Sequence, residues 1–171
     1  MGNSNVARYR RWFVYEEDAH AKVLASLETV PPARRSSAEF RKAVALFAHI
    51  VAARRMWLFR FGVASAPSGP LFPDDVDVAH VAAEWQAVRK LWSDYLARAD
   101  DAALERQFEY QSLDAGRFRN RGEDILAQLF GHSWYHRGQI AMRVRAAGGE
   151  PAVTDLIYWC REGVPSSGPS G

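Results

Sequence analysis

The stretch Gly131-His132-Ser133-Trp134-Tyr135-His136-Arg137-Gly138-Gln139-Ile140 sets two histidines four residues apart in a segment of helical periodicity. At about 3.6 residues per turn, positions four apart stand one above the other on the same helical face. Ile125, Leu129, His132, His136 and Ile140 continue that spacing, so the pair falls on an apolar stripe. Neighbouring basic groups on such a face are costly without a partner. They can also aim two nitrogens at one point, which is how a helix offers ligands to a metal ion. Two histidines hydrogen-bonded within an ordinary helical core fit the same spacing.

The period that carries this pair extends over most of the chain. Apolar positions Tyr9, Trp12, Phe13, Val23, Leu24 and Leu27 predict a first helix from about Val6 to Leu27, with Glu16, Glu17, Asp18 and Lys22 on its solvated side. Val30-Pro31-Pro32 ends it, and Ser36 or Ser37 opens a second helix over Ala38–Phe61. Arg54, Arg55 and Arg60 mark its solvated edges, and Gly62 closes it. A Pro-, Ser- and Gly-rich connection from Ala64 to Asp77 is long enough to cross a bundle. The third helix spans Val78–Ala99, with Val81, Trp85, Val88, Leu91, Trp92 and Tyr95 inward. Phe108, Tyr110 and Phe118 around Asp114-Ala115-Gly116 then suggest a small β-hairpin. The fourth helix runs from Arg121–Glu123 to about Ala147, ended by Gly148-Gly149, and Thr154 caps a short last helix, Asp155–Arg161. The expected fold is an all-α four-helix bundle, up-down-down-up, with a hairpin before the last long helix.

With 171 residues, 48% of them hydrophobic and 25% charged, the chain suits one domain, assigned to residues 1–163, and a flexible tail at 164–171. A formal charge of +2 gives little electrostatic case for nucleic acid. Arg117, Arg119, Arg121, Arg143 and Arg145 read as solvated faces without a recognition motif. Cys160 is the single cysteine, which excludes an intrachain disulfide, and it reads as a small buried hydrophobe. No apolar run approaches the roughly 18 residues of a membrane span, and Met1–Val6 lacks a signal-peptide core. The expectation is a soluble, cytoplasmic protein with a small-molecule substrate and neither membrane nor nucleic-acid partner.

A third histidine joins the first two. His49 shares its helical face with Ala45, Leu46, Ala52, Ala53, Met56 and Trp57, which points it inward with space beside it. Three neutral imidazoles suit Zn, Ni, Fe or Cu and leave coordination positions for water or substrate. His80 falls at an exposed helix start, and His20 reads as a surface residue rather than a fourth ligand. Arg137 and Gln139 flank the pair and could orient substrate or cap a neighbour, Arg137 being more ordinarily a surface ion-pair partner. Trp134 and Tyr135 point away from the stripe, toward packing or a dimer contact. No carboxylate shares the stripe, so a general base would come from metal-bound water or from elsewhere.

The run His132-Ser133-Trp134-Tyr135-His136-Arg137-Gly138-Gln139-Ile140, with His49 ahead of Trp57-Leu58, resembles the DinB/YfiT-like family of metalloenzymes. The later Thr154-Asp155-Leu156-Ile157-Tyr158 is similar to the segment after that family's last bundle helix. The resemblance implies a four-helix bundle, often a homodimer. It also implies a divalent metal, nickel or zinc before iron, manganese or copper, held by His49, His132 and His136. Characterised members include transferases and isomerases that use low-molecular-weight thiols such as bacillithiol or mycothiol. A thiol-dependent transferase or a hydrolase is therefore the expected activity, and a non-catalytic metal or small-ligand binder in stress response or detoxification is the alternative. The first helix departs from the family pattern: Tyr15-Glu16-Glu17-Asp18-Ala19-His20 stands where relatives tend to read Tyr-Asn-x-Trp-Ala-Asn.

Overall fold

The computed structural model describes residues 5–163, and the tail expected at 164–171 lies outside the described residues. The elements in order are α1 (Asn5–Glu28), α2 (Ala38–Arg60), α3 (Val78–Arg98), a short α4 (Asp101–Glu105), the strands β1 (Gln107–Gln111) and β2 (Arg117–Arg121), α5 (Gly122–Ala146) and α6 (Leu156–Cys160). Local chemistry sets the long helices' ends. Ser37 Oγ accepts the Phe40 N–H at 3.3 Å, and the Asp77 carboxylate accepts the His80 N–H at 2.7 Å. Gly62 and Gly148 end α2 and α5 at φ +72° and +86°, where a side chain would be strained.

Side chains at the helix ends fix the direction of each neighbour. Arg10, early in α1, donates to the Leu96 and Ala99 carbonyls at the end of α3, so these two helices are antiparallel. Tyr9 of α1 donates to Glu123 in the first turn of α5, which makes that pair parallel. Arg143, late in α5, meets Glu39 at the start of α2 at 2.6 Å, an antiparallel pairing. Phe61, just past α2, packs on Trp92 and Tyr95 near the end of α3, so α2 and α3 run parallel. The topology is up-down-down-up, with α1 and α2 on the diagonal. No helix among the described residues is long and apolar enough to cross a membrane.

The hairpin forms where the alternation places it, with Tyr110 opposite Phe118. Its aromatic side closes one end of the bundle: Phe108 lies 4.4 Å from Phe61 and Tyr110 4.9 Å from Trp57, ring centre to ring centre. Its arginines are interleaved with acids: Arg117 and Arg119 pair with Glu109, and Arg121 with Glu105 and Glu123. The short α4 escapes a reading by period because it holds little more than one turn. Asp100 caps it through the Ala103 N–H, and Asp101 accepts the Val6 N–H at the start of α1.

Several polar residues stand where the helical pattern does not put them. Glu16 and Arg54, both expected at solvated positions, are buried together as an ion pair between α1 and α2. Arg54 lies among Phe13, Trp92 and Phe130, and its carbonyl accepts the Trp92 indole N–H at 3.1 Å. A fully charged pair is tolerated there because each member neutralises the other where water cannot. His20, expected at the surface, is fully buried, edge-on to Phe47 and Trp85 and 3.7 Å from Glu16. Arg137 is buried too, donating to the Tyr15 hydroxyl at 2.6 Å. Thr154 does not cap α6: Asp155 holds the N-cap position without a side-chain bond, while the Thr154 carbonyl accepts the Tyr15 hydroxyl. Cys160 is partly exposed on that short helix rather than buried in the core.

Two outcomes follow. Arg54→Met strands the Glu16 carboxylate and should cost about 3–5 kcal/mol in urea denaturation, while Arg54→Met with Glu16→Leu recovers much of the loss. His20 is held neutral because burial, then the charges of Arg137 and Arg54, lower its pKa well below the ordinary value. Below about pH 6.5 the unfolded chain therefore binds a proton that the fold excludes, and stability falls with acidification. The drop in urea midpoint between pH 7 and pH 5 should shrink in His20→Gln.

Candidate metal centre

The antiparallel packing of α2 on α5 sets His49, midway along α2, opposite His132 and His136 in the middle of α5. His49 Nε2 lies 3.0 Å from His132 Nε2, and His136 Nε2 lies 3.1 Å from the same atom. The three ring nitrogens fall within 4.8 Å of one another. His49 is buried, whereas His132 and His136 are half-buried. On α5 the stripe Ile125, Leu129 and Ile140 and the adjoining line Leu126, Phe130, Ser133, Arg137 and Val144 are all buried, and the histidine pair is the half-buried part of that stripe. The corresponding line of α2 runs through Val44, Phe47, Val51, Arg54 and Leu58, while Leu46, Ala52, Ala53, Met56 and Trp57 beside His49 are only half-buried. The cluster thus sits at the bundle's edge rather than on its axis, within reach of solvent.

The outer nitrogens decide how the rings are protonated. His49 Nδ1–H donates to the Leu71 carbonyl at 2.7 Å, and His136 Nδ1–H to Gln139 Oε1 at 2.8 Å. A carbonyl oxygen only accepts, so both neutral rings carry their proton outside and present an Nε2 lone pair inward. His132 Nε2 faces both lone pairs and has at most one hydrogen to share. One close nitrogen pair is then left without a bridging proton. Burial, followed by the charges of His136, His49 and Arg54, lowers the His132 pKa to about 4, which opposes a second proton. His49 is lowered as well, chiefly by burial.

A cation among the three nitrogens satisfies every lone pair at once. Ligand nitrogens about 2.0–2.1 Å from a metal stand roughly 2.9–3.4 Å apart for right-angled to tetrahedral pairs, and the two observed separations fall in that range. The carbonyl acceptors behind His49 and His136 are the outer partners that fix a ligand's tautomer and ring orientation. The residues present therefore fit a divalent transition metal.

Sequence spacing found the three histidines but not what surrounds them. Leu71 and Phe72 belong to the α2–α3 connection; the Phe72 ring stacks on His49 at 4.4 Å and 11° while remaining 63% exposed. A backbone carbonyl and a loop aromatic leave no periodic trace. Gln139 did leave one, since it follows His136 by three positions and so shares its face. Tyr135 does not simply point away: its ring meets His136 edge-on at 5.1 Å, although most of it is exposed. Trp134 packs on Trp12, and His80 is exposed at the start of α3. Neither His20 nor His80 belongs to the cluster.

The family model described as the DinB superfamily matches residues 13–140, which takes in all three histidines. It ends before Thr154–Tyr158, so the likeness of that segment forms no part of the match. The crystal structure of a DinB-like protein from Bacillus cereus superposes with a TM-score of 0.62 at 18% identity, over 82% of this chain and 94% of that one. At that identity the likeness shows a shared fold. No curated protein matches the sequence. The family match runs from the first bundle helix into the last and reaches the same helical fold from sequence alone: the chain belongs to the DinB superfamily.

Proposed function

We propose that His49, His132 and His136 bind one divalent transition metal ion and that the protein is a metal-dependent enzyme acting on a small molecule. The observation that carries the reading is the convergence of three Nε2 atoms, two of them held as lone-pair donors by outer carbonyl acceptors. An all-imidazole set suits nickel or zinc, with iron, manganese and copper as further candidates. Bound there, such an ion supplies Lewis acidity, which acidifies a ligated water or thiol and polarises a substrate oxygen. Transfer of a low-molecular-weight thiol onto an electrophile, or hydrolysis, is the chemistry that uses this. We propose likewise a homodimer that works in the cytoplasm.

The chain's own residues have distinct tasks in this reading. The Leu71 carbonyl and the Gln139 amide oxygen hold the protons of His49 and His136 on the outer nitrogens. Phe72 shields the outer face of His49 from water, and the half-buried rings of His132 and His136 leave the approach from solvent. The all-histidine cluster contains no carboxylate, so a protein-derived base does not come from within it.

Protein purified without added metal should contain close to one equivalent of a transition metal by elemental analysis. His49→Ala should lose that metal while keeping its helical circular dichroism, and metal content equal to the parent's would overturn the reading. Gln139→Leu keeps all three ligands but removes an outer acceptor, and should weaken metal affinity about 10-fold or more in a competition titration.

A further inference from the structure

A cavity of about 300 Å³ lies between α2, α3 and the connection that joins them, at the lower end of the range for small-molecule sites. None of the three clustered histidines lines it. Its proline wall is visible in the sequence. Prolines recur at every third position of the connection, at Pro67, Pro70 and Pro73, and all three line the cavity. Leu71 and Phe72, between the last two, are the residues that meet His49. One segment therefore covers His49 with some residues and walls the cavity with their neighbours.

The rest of the lining divides by chemistry. Ala48 and Val51 of α2 and Val81 of α3 are buried, so the deep part of the wall is apolar. His80 and Glu84, one turn apart on α3, and Arg55 of α2 supply the polar part. Glu84 and Arg55 are the one carboxylate and the one guanidinium in the wall, and they pair with each other at 2.5 Å. Their charges cancel, so a charged ligand would lose water without meeting a free counter-charge. The exposed His80 ring makes no hydrogen bond or ion pair among the described residues; only its main-chain N–H is engaged, donated to Asp77. An imidazole nitrogen is thereby left for a ligand's hydroxyl.

Prolines present flat apolar faces to aromatic rings, the contact by which aromatic-lined grooves hold proline-rich peptides. Here the prolines belong to the wall, which leaves the aromatic part to the occupant. We propose that this cavity binds a small neutral aromatic molecule, its ring against Pro67, Pro70 and Pro73 and its hydroxyl directed to His80. The site is distinct from the histidine cluster and needs no metal there.

The test uses the full chain with phenol, which is uncharged near neutral pH, followed by ligand-observed and protein NMR. Benzoate and benzylamine each add a charge to the same ring, and cyclohexanol keeps the hydroxyl but not the aromatic face. Phenol should bind at millimolar concentration and move the amide resonances of Leu71 and Phe72. Protein stripped of metal by a chelator should bind it equally. Both charged compounds should bind about tenfold more weakly than phenol, and cyclohexanol about threefold more weakly. Ala52→Leu enlarges a half-buried lining side chain and should abolish binding. His80→Ala, at an exposed position, should weaken phenol about fivefold with circular dichroism unchanged. No saturable phenol binding to the parent, equal affinity for either charged compound or for cyclohexanol, or undiminished binding to Ala52→Leu or His80→Ala would each overturn the proposal. Loss of phenol binding on chelation would overturn it as well, by placing the ligand at the histidines instead.

Discussion

The antiparallel contact between α2 and α5 is the constraint on which the rest of the molecule turns. It brings the His49 nitrogen to 3.0 Å from that of His132, 83 positions along the chain, and to within 4.8 Å of that of His136. At one end of the contact Arg143 meets Glu39, and near its middle the Arg54 guanidinium lies 5.0 Å from the centre of the Phe130 ring, both side chains almost free of solvent. Close packing of large side chains on both sides leaves the helices little freedom to slide. A slip of one turn, about 5.4 Å, would pull His49 out of register with both partners. The remaining bundle buttresses that register. Trp92 of α3 donates its indole N–H to the Arg54 carbonyl of α2, and Trp85 of α3 lies against Phe13 and His20 of α1.

Beneath this contact the core is unusually polar. Glu16, His20, Arg54 and Arg137 have almost no exposure, yet only some of their polar atoms find hydrogen-bond partners. Such groups cost more to bury than apolar side chains of similar size, and a buried charge that loses its partner costs more still. Their position between α1, α2 and α5 places fixed charge close to the histidines, where Arg54 helps to keep His132 neutral. In this way the core can influence ligand basicity without contributing a ligand.

The long helices and the hairpin were legible because period and punctuation agree there. Ser37, Asp77, Gly62 and Gly148 stop and start helices as their types demand, and Phe108, Tyr110 and Phe118 alternate. The histidine cluster was legible for the same reason, since two helices each carried imidazole on an identifiable face. Polarity misled where tertiary pairing overrode it. Glu16 and Arg54 look solvated on separate helices and become buried only once α1 meets α2, a fact that neither helix encodes alone. His20 lies beside that pair and goes inward with it. The Leu71 carbonyl had no signature in residue type, because any residue at that position supplies the same oxygen.

His49 takes its outer acceptor from the main chain of a connection, and its shielding from one aromatic side chain, Phe72, in the same segment. The acceptor survives any substitution at Leu71 that keeps the backbone path, whereas the shield changes with every substitution at position 72. Ligand geometry and access to it are therefore written in separable features of one loop. A lineage could retain the trio of histidines unaltered and still diverge in what approaches it, by exchanging a few residues between α2 and α3.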